Sequence, residues 1–212
     1  MLSGLSIQGD QGGEVMADIY LVGVGGQGII TASRVIGDAA ILAGKNILLS
    51  ETHGMAQRGG SVVCTARIGD VQSPLIPDGK ADVILSFELL ETLRAVCKAN
   101  KTTIVVSSTE KIVPLSVSAQ KLRYPTIDEV GAQVRKAAKE FISIDSRKLA
   151  EDSGVPMSSN IVMIGALAGT GATGLARNHF EKAIEMNIPR RATENLAAFS
   201  KGFEAASKRQ RL

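Results

Sequence analysis

The fold is decided at residues 18–28, which read Asp-Ile-Tyr-Leu-Val-Gly-Val-Gly-Gly-Gln-Gly. A β-branched, apolar run passes directly into a glycine pattern of the form G-x-G-x-x-G, and an apolar helical pattern follows from Ile29 to Leu42. Gly44 is placed to end that helix. A strand, a glycine-rich turn and a helix in this order predict the first unit of a βαβ fold.

Short apolar strands continue to alternate with helical patterns along the rest of the chain. Predicted strands lie at 46–49, 61–68, 82–86, 102–106 and 141–144, and predicted helices at 88–99, 128–140, 158–172, 178–186 and 193–207. In the helix at 88–99, the residues expected to face inward are Leu89, Leu93, Val96 and Cys97. The segment 111–125 has no period and is predicted to be irregular. Together these patterns predict an α/β, Rossmann-like fold with a mostly parallel sheet and helices on both faces.

Length and composition indicate one domain with short tails. The chain has 212 residues, of which 44% are hydrophobic, and we place a disordered leader at 1–16, the domain at 17–205 and a basic tail at 206–212. The net charge of +3 comes from the last twelve residues, and only 3% of residues are aromatic, so nothing favours a nucleic-acid partner. The longest apolar run, 161–169, is too short to span a membrane.

The chain has two cysteines, Cys64 and Cys97. They stand 33 positions apart without a Cys-x-x-Cys pair, so this chain alone cannot supply four cysteines to an iron–sulfur cluster, and we expect no metal site on it. Because both lie in apolar runs, we expect them to be buried and reduced, as in a cytoplasmic protein.

The glycine-rich turn has two readings that the spacing alone does not separate. Its glycines, Gly23, Gly25, Gly26 and Gly28, together with Gln27, allow a ligand phosphate to approach the amides at a helix start, and Glu51 at the end of the next strand then suits a ribose. The same glycines also allow the first strand and helix to pack closely without any ligand.

A second polar loop, at 51–60, leaves the second predicted strand. In an open parallel sheet such a loop lies at the carboxyl ends of the strands, so we expect it to share a crevice with the glycine-rich turn. Here His53 is a candidate proton carrier and Arg58 a candidate ligand for a carboxylate or phosphate, with Gln57 between them. Alternatively, Arg58 pairs with Glu51 and only braces the loop. No Ser-His-Asp or Cys-His arrangement accompanies these residues.

These two motifs together resemble the gamma-type subunits of the 2-oxoacid:ferredoxin oxidoreductases, the pyruvate/ketoisovalerate gamma family. The likeness rests on Gly-Val-Gly-Gly-Gln-Gly at 23–28 and Glu-Thr-His-Gly-Met-Ala-Gln-Arg-Gly-Gly-Ser-Val at 51–62. It continues at 74–76, 81–88, 160–167 and 195–202, and therefore covers about 17–205. Within the family the sequence is most similar to the chain called the beta subunit in indolepyruvate ferredoxin oxidoreductase.

The resemblance implies an accessory subunit rather than a complete enzyme. Enzymes of this family oxidatively decarboxylate a 2-oxoacid, such as indolepyruvate, to an acyl-CoA and pass electrons to ferredoxin. It further implies that thiamine diphosphate and the iron–sulfur clusters belong to catalytic partner subunits, that coenzyme A binds in the assembled enzyme, and that ferredoxin is met only indirectly. Self-association of the isolated chain is a further expectation. By position, the glycines at 23, 25, 26 and 28 with Gln27 form the family's turn, and Glu51, His53, Gln57 and Arg58 the loop beside it.

Two alternatives remain open from the residues alone. One is an independent NAD(P)-dependent dehydrogenase with Glu51 on the ribose, and the other is a nucleotide-binding regulatory module. A dehydrogenase needs a second, substrate-holding domain with its own acid–base residue, and the sequence after Gly60 shows only further strands and covering helices.

Overall fold

A computed structural model describes residues 17–53, 60–112 and 123–208, and for His53 it describes the backbone only. These residues form six strands and seven α-helices. The strands are β1 (Ala17–Val24), β2 (Ile47–His53), β3 (Ser61–Ile68), β4 (Val83–Ser86), β5 (Ile104–Ser108) and β6 (Glu140–Ile144). The helices are α1 (Ile29–Leu42), α2 (Leu89–Ala95), α3 (Ile127–Ala137), α4 (Ser146–Glu151), α5 (Ser159–Gly169), α6 (Arg177–Asn187) and α7 (Ala192–Ser207).

The strands form one sheet in the order β2-β3-β1-β4-β5-β6. Strands β1, β4, β5 and β6 are mutually parallel, while β3 runs antiparallel to both β1 and β2. Because both neighbours of β3 oppose it, β2 runs in the same direction as β1. The predicted mostly parallel sheet is therefore confirmed, with one antiparallel strand inserted between the first two strands of the chain.

Helices cover both faces of the sheet, as predicted. On one face, the apolar side of α1 and helices α4 to α7 pack against alternate residues of the strands, such as Leu21, Cys64 and Leu85. On the other face, α2 and α3 pack against the intervening residues, such as Val22, Ile84 and Val105. This alternation follows from the two-residue period of a strand. No helix within the described ranges is long and apolar enough to cross a membrane.

Helices α5 and α7 approach each other more closely than side chains allow. A Cβ atom on Gly165 would lie 2.0 Å from the carbonyl oxygen of Phe199, and one on Gly202 would lie 1.9 Å from that of Val162. Only glycine fits at both positions. Helix α5 is buried on all sides between the sheet and α7, so its apolar character serves the core of this chain.

Several predicted elements match the structure closely. Strand β3 and helix α1 have the predicted bounds, and Gly44 follows the helix with a φ of 69°, as the helix-ending glycine requires. Helix α3 begins after Thr126, whose side chain accepts from the amide of Glu129 in a capping box. Helix α7 runs through Ser207, so the first residues of the predicted tail are helical.

Other boundaries differ from the prediction. Strand β2 continues through Glu51 to His53, so the polar loop begins only after His53. The predicted helix 88–99 is α-helical only over Leu89–Ala95 and then tightens to a 3₁₀ turn at Val96–Lys98. Since a 3₁₀ turn has three residues rather than 3.6, the last positions rotate away from the core, and the prediction that Cys97 faces inward was wrong because it is exposed.

Two further differences concern the second half of the chain. The predicted helix 128–140 ends at Ala137, and Glu140 already belongs to β6. Helix α4, which follows directly on β6, was missed because its six residues are too few to show a helical period. The predicted leader at 1–16 and most of the irregular segment 111–125 lie outside the described residues.

Candidate functional site

The glycine-rich turn joins the carboxyl end of β1 to the first turn of α1. Gly26 and Gly28 adopt φ values of 105° and 73°, in the left-handed region that favours glycine. A Cβ on Gly28 would also lie 2.6 Å from Nδ2 of Asn160, which begins the buried part of α5. The glycines thus permit both the sharp turn and the close approach of α5.

Gln27 fastens this turn to the neighbouring strand ends. Its Oε1 accepts a hydrogen bond from the amide of Val24 at 2.8 Å. Its Nε2 donates to the carbonyl oxygen of Phe87 at 2.7 Å and to the carboxylate of Glu110 at 3.2 Å. The side chain therefore ties the β1–α1 turn to the residues that follow β4 and β5. The Gln27 side chain is therefore already hydrogen-bonded within the chain. In this respect the turn differs from a phosphate-binding loop whose polar groups are free to bind a ligand.

A cleft of about 530 Å³ opens beside the turn at the carboxyl edge of the sheet. One wall is the glycine-rich turn with Thr31, and the opposite wall comes from the segments after β5 and β6 and the start of α5. Its lining residues are Gly25, Gly26, Gln27, Gly28, Thr31, Phe87, Glu110, Ile112, Ser146, Pro156, Met157, Ser159 and Asn160. Met157 on the rim is 93% exposed, which is unusual for so large an apolar side chain.

Buried Glu88 holds the wall that carries Glu110 and Ile112. Its Oε2 accepts from the amides of Leu90 and Glu91 at 2.8 and 2.9 Å, which caps α2, and its Oε1 accepts from the amide of Ile112 at 3.3 Å. Burial raises the pKa of the Glu88 carboxyl above its ordinary value, and the three amides act in the opposite direction. Sequence reasoning missed Glu88 and Glu110; an acidic residue just before a helix was the available signal for Glu88.

The second predicted loop flanks the same edge of the sheet. Gly60, at its end, accepts a hydrogen bond from the amide of Gly25 at 2.9 Å, and His53, at its start, is paired with Val62. Gly60 thus lies beside the glycine-rich turn, whereas His53 lies at the same edge of the sheet with β3 between it and β1, and the shared crevice stays a prediction. Gln57 and Arg58 lie outside the described residues, and so does the predicted pairing of Arg58 with Glu51.

Glu51 lies away from the cleft. Its register partner on β3 is Cys64, which in turn faces Leu21 on β1, so Glu51 sits two strands from β1 and below the level of the turn. Its side chain is exposed and is not among the residues that line the cleft. In a dinucleotide-binding fold the ribose-binding acid stands on the strand next to β1. The inserted β3 removes that geometry, and the dehydrogenase alternative loses its main support.

The two cysteines do not form a metal site. Cys64 is buried on β3, where burial raises the pKa of its thiol to about 11, while Cys97 is exposed beyond α2. Among the described residues, no group of three or more His, Cys, Asp or Glu side chains is placed to hold a metal ion. Two separated thiols do not meet the four-cysteine requirement of an iron–sulfur cluster, so the residues of this chain do not fit that group.

Comparison with known proteins identifies the family. The model of the pyruvate ferredoxin/flavodoxin oxidoreductase family matches residues 18–205. The chain is 42% identical over 190 residues to the indolepyruvate oxidoreductase subunit IorB of Archaeoglobus fulgidus, covering 89% of this chain and 94% of that one.

Two solved structures share the fold. The gamma subunit of a keto/oxoacid ferredoxin oxidoreductase from Geobacter sulfurreducens has a TM-score of 0.65 at 23% identity, covering 90% of this chain and 98% of that one. A 2-oxoglutarate:ferredoxin oxidoreductase from Magnetococcus marinus, with 2-oxoglutarate, coenzyme A and succinyl-CoA bound, has a TM-score of 0.70 at 19% identity, covering 94% of this chain and 32% of that one. The chain described here belongs to the pyruvate ferredoxin/flavodoxin oxidoreductase family.

Proposed function

We propose that this chain is the accessory subunit of a 2-oxoacid:ferredoxin oxidoreductase that oxidatively decarboxylates an aryl pyruvate such as indolepyruvate to its acyl-CoA. The observation that carries the proposal is the similarity to an indolepyruvate oxidoreductase subunit along nearly the full length of both chains. Its likeness in fold to a small separate gamma subunit, and to about a third of a larger oxidoreductase chain, agrees with a module that works beside catalytic modules.

The redox and carbanion chemistry then belongs to partner subunits. In the assembled enzyme thiamine diphosphate supplies the carbanion chemistry and iron–sulfur clusters carry the electrons. Two separated cysteines agree with clusters held elsewhere. What this chain contributes is a rigid wall, because catalysis of this kind depends on exclusion of water and on fixed orientation of the reacting groups. We place the enzyme in the cytoplasm, which is supported by the two unpaired cysteines.

The wall that we assign to this role is the carboxyl edge of the sheet. It combines the glycine-rich turn, held by Gln27, with His53 at the end of β2 and the loop after it, which contains Gln57 and Arg58. Exposed Met157 on the rim of the cleft gives this edge an apolar contact of the kind that protein interfaces favour. In this proposal Arg58 grips an anionic group at the junction with the catalytic subunit, and His53 lies at the base of the same loop.

Substrate class and the role of Arg58 are tested on the assembled enzyme. The chain is combined with a catalytic subunit of an indolepyruvate oxidoreductase, and the rates of viologen reduction with indolepyruvate, phenylpyruvate, pyruvate and 2-oxoglutarate are compared. We expect the two aryl substrates to have the highest kcat/KM. Equal or higher kcat/KM with pyruvate or 2-oxoglutarate would refute the aryl assignment but not the accessory role.

Arg58→Ala is compared with Arg190→Ala, which removes an exposed arginine from the α6–α7 connection. We expect Arg58→Ala to lower activity of the complex at least about tenfold with little change in the free energy of unfolding, since a charge-assisted hydrogen bond contributes roughly 1.5–3 kcal/mol. The matched variant should change neither. Equal loss of activity and stability in Arg58→Ala would support the bracing role instead.

A further inference from the structure

The carboxyl group of Glu88 is buried at the carboxyl end of β4. It lies two residues after that strand and directly before α2, and none of the residue is exposed. Among the residues that the structure describes, no lysine, arginine or histidine forms an ion pair with it. Because a buried carboxylate without a paired cation is costly, its hydrogen bonds decide whether it remains charged.

Three backbone amides converge on this carboxyl group from two different segments of the chain. Its Oε2 accepts from the amides of Leu90 and Glu91, in the first turn of α2, at 2.8 and 2.9 Å. Its Oε1 accepts from the amide of Ile112, on the wall of the cleft, at 3.3 Å. One oxygen therefore caps the helix, and the other holds the cleft wall.

The ionised and the neutral forms of Glu88 differ in the hydrogen bonds that they can accept. A carboxylate has two acceptor oxygens, whereas a protonated carboxyl has one carbonyl oxygen and one hydroxyl group that donates. The neutral group therefore serves either the two amides of α2 or the amide of Ile112, but not both. Since α2 presents two amides at shorter distances, we expect the carbonyl oxygen to stay with the helix and the hydroxyl group to face Ile112.

The surroundings of Glu88 favour proton uptake on mild acidification. Burial raises the pKa of the Glu88 carboxyl, the three amides lower it, and the nearby charge of Glu91 raises it further. Glu91 itself forms an ion pair with Arg94 and accepts from Oγ of Ser61 at 2.7 Å. Glu88 is thus protonated at a higher pH than an ordinary glutamate.

Other ionisable side chains around Glu88 lie on the segments before α3 and after β5. Before α3, the hydroxyl group of Tyr124 accepts from the same Leu90 amide at 3.2 Å. After β5, the carboxylate of Glu110 is bonded to Gln27, and exposed Lys111 separates it from Ile112. Because Glu110 is a carboxyl group on the same wall, a test of Glu88 needs a control at Glu110.

We propose that Glu88 positions the cleft wall in a pH-dependent way: its carboxylate holds Ile112, and its protonated form releases Ile112 while still capping α2. The effect is local, because Ile112 lines the cleft and Glu110 lies two residues before it on the same wall. The change of hydrogen bonds belongs to this chain alone, whereas its importance for catalysis rests on the proposed function.

NMR spectroscopy of the full chain tests this proposal. Between about pH 7 and pH 5, we expect the amide of Ile112 to lose about tenfold in protection against hydrogen exchange, corrected for the intrinsic rate, because it loses a charged acceptor. The amide of Glu91 should keep its protection. Over the same range, the amide proton of Ile112 and the carboxyl carbon of Glu88 should titrate together.

Glu88→Gln reproduces the protonated form without a change of pH. Its one side-chain oxygen can cap α2, while its NH₂ group faces the amide of Ile112, so protection of Ile112 should be low and independent of pH. Glu110→Gln is the matched control and should keep the pH dependence of the unaltered chain, because its side-chain oxygen can still accept from Gln27.

Protection of Ile112 that does not fall on acidification would overturn the proposal. A parallel loss at Glu91 would also overturn it, because the start of α2 would then be unfolding. So would a pH dependence that persists in Glu88→Gln or disappears in Glu110→Gln. The titration of the unaltered chain decides the matter even where Glu88→Gln does not fold. All of these measurements use the isolated chain, so their outcome and that of the activity assay on the assembled enzyme are judged separately.

Discussion

Replacing Gln27 by alanine is expected to lower the free energy of unfolding by about 2–4 kcal/mol. The change removes the partners of the Val24 amide and the Phe87 carbonyl, and both residues are only 2% exposed. A buried polar group left without its partner costs roughly 1–3 kcal/mol. Two such groups would cost up to about 6 kcal/mol, but water from the adjoining cleft can reach part of the space and reduces the loss.

Urea unfolding followed by circular dichroism measures this loss. We expect a lower midpoint with an unchanged m-value, because the surface exposed on unfolding stays the same. Ser159→Ala, on the opposite wall of the cleft, is the matched control and should stay within about 0.5 kcal/mol of the unaltered chain. A similarly small effect of Gln27→Ala would refute the conclusion that Gln27 fastens the turn.

Gln27→Glu adds a pH dependence with a defined sign. It replaces the amide group that donates to the Phe87 carbonyl and to Glu110 by a carboxylate oxygen. The new carboxyl can donate a hydrogen bond to these oxygens only when it is protonated. Its pKa in the folded chain is therefore raised, and the stability conferred by the proton is lost as pH rises through that pKa. We expect the deficit relative to the unaltered chain to be smaller near about pH 5 than near about pH 8. A deficit independent of pH would contradict the assigned hydrogen bonds.

Two further predictions concern packing and the thiols. Gly202→Ala places a Cβ 1.9 Å from the carbonyl oxygen of Val162, so we expect a loss of at least about 2 kcal/mol in urea unfolding despite the better helix propensity of alanine. Gly131→Ala, whose Cβ would meet only side-chain atoms, the end of Arg135 at 3.0 Å and the ring of Phe141 at 3.2 Å, should lose clearly less stability than Gly202→Ala, and equal losses would contradict the close crossing of α5 and α7. Exposed Cys97 should react with a maleimide in the native chain, whereas buried Cys64 should react only after unfolding. Mass spectrometry of the labelled peptides measures this, and labelling of Cys64 before Cys97 would contradict the prediction.

The sequence predicts most of the elements but not the order of the strands. The alternation of Val62, Cys64, Ala66 and Ile68 identifies β3 as a half-buried strand, and a two-residue period is the same for parallel and antiparallel neighbours. The antiparallel insertion of β3 is a long-range choice, and it moves Glu51 away from the cleft. A half-buried strand within an otherwise apolar sheet was the available hint, since antiparallel strands tolerate one solvated face.

The candidate site was predictable where it depends on backbone conformation. Glycines in a fixed spacing indicate the turn, but the partners of Gln27 are 60 and 83 residues away at Phe87 and Glu110, and no local pattern connects them. For Cys97, a local pattern gave a wrong prediction. The spacing of an α-helix placed Cys97 on the buried face, but the chain tightens to a 3₁₀ turn at Val96–Lys98. Local patterns thus specify the turn, while the contacts that hold it depend on the tertiary fold.

Dependence on a companion subunit is tested most directly by measuring 2-oxoacid-dependent reduction of a viologen dye, first with the purified chain alone and then after adding the large subunit. We expect no turnover and no visible iron–sulfide absorption from the chain alone, and activity once the large subunit is present. Turnover of a 2-oxoacid by the isolated chain, or a brown colour from bound iron and sulfide, would contradict the accessory role.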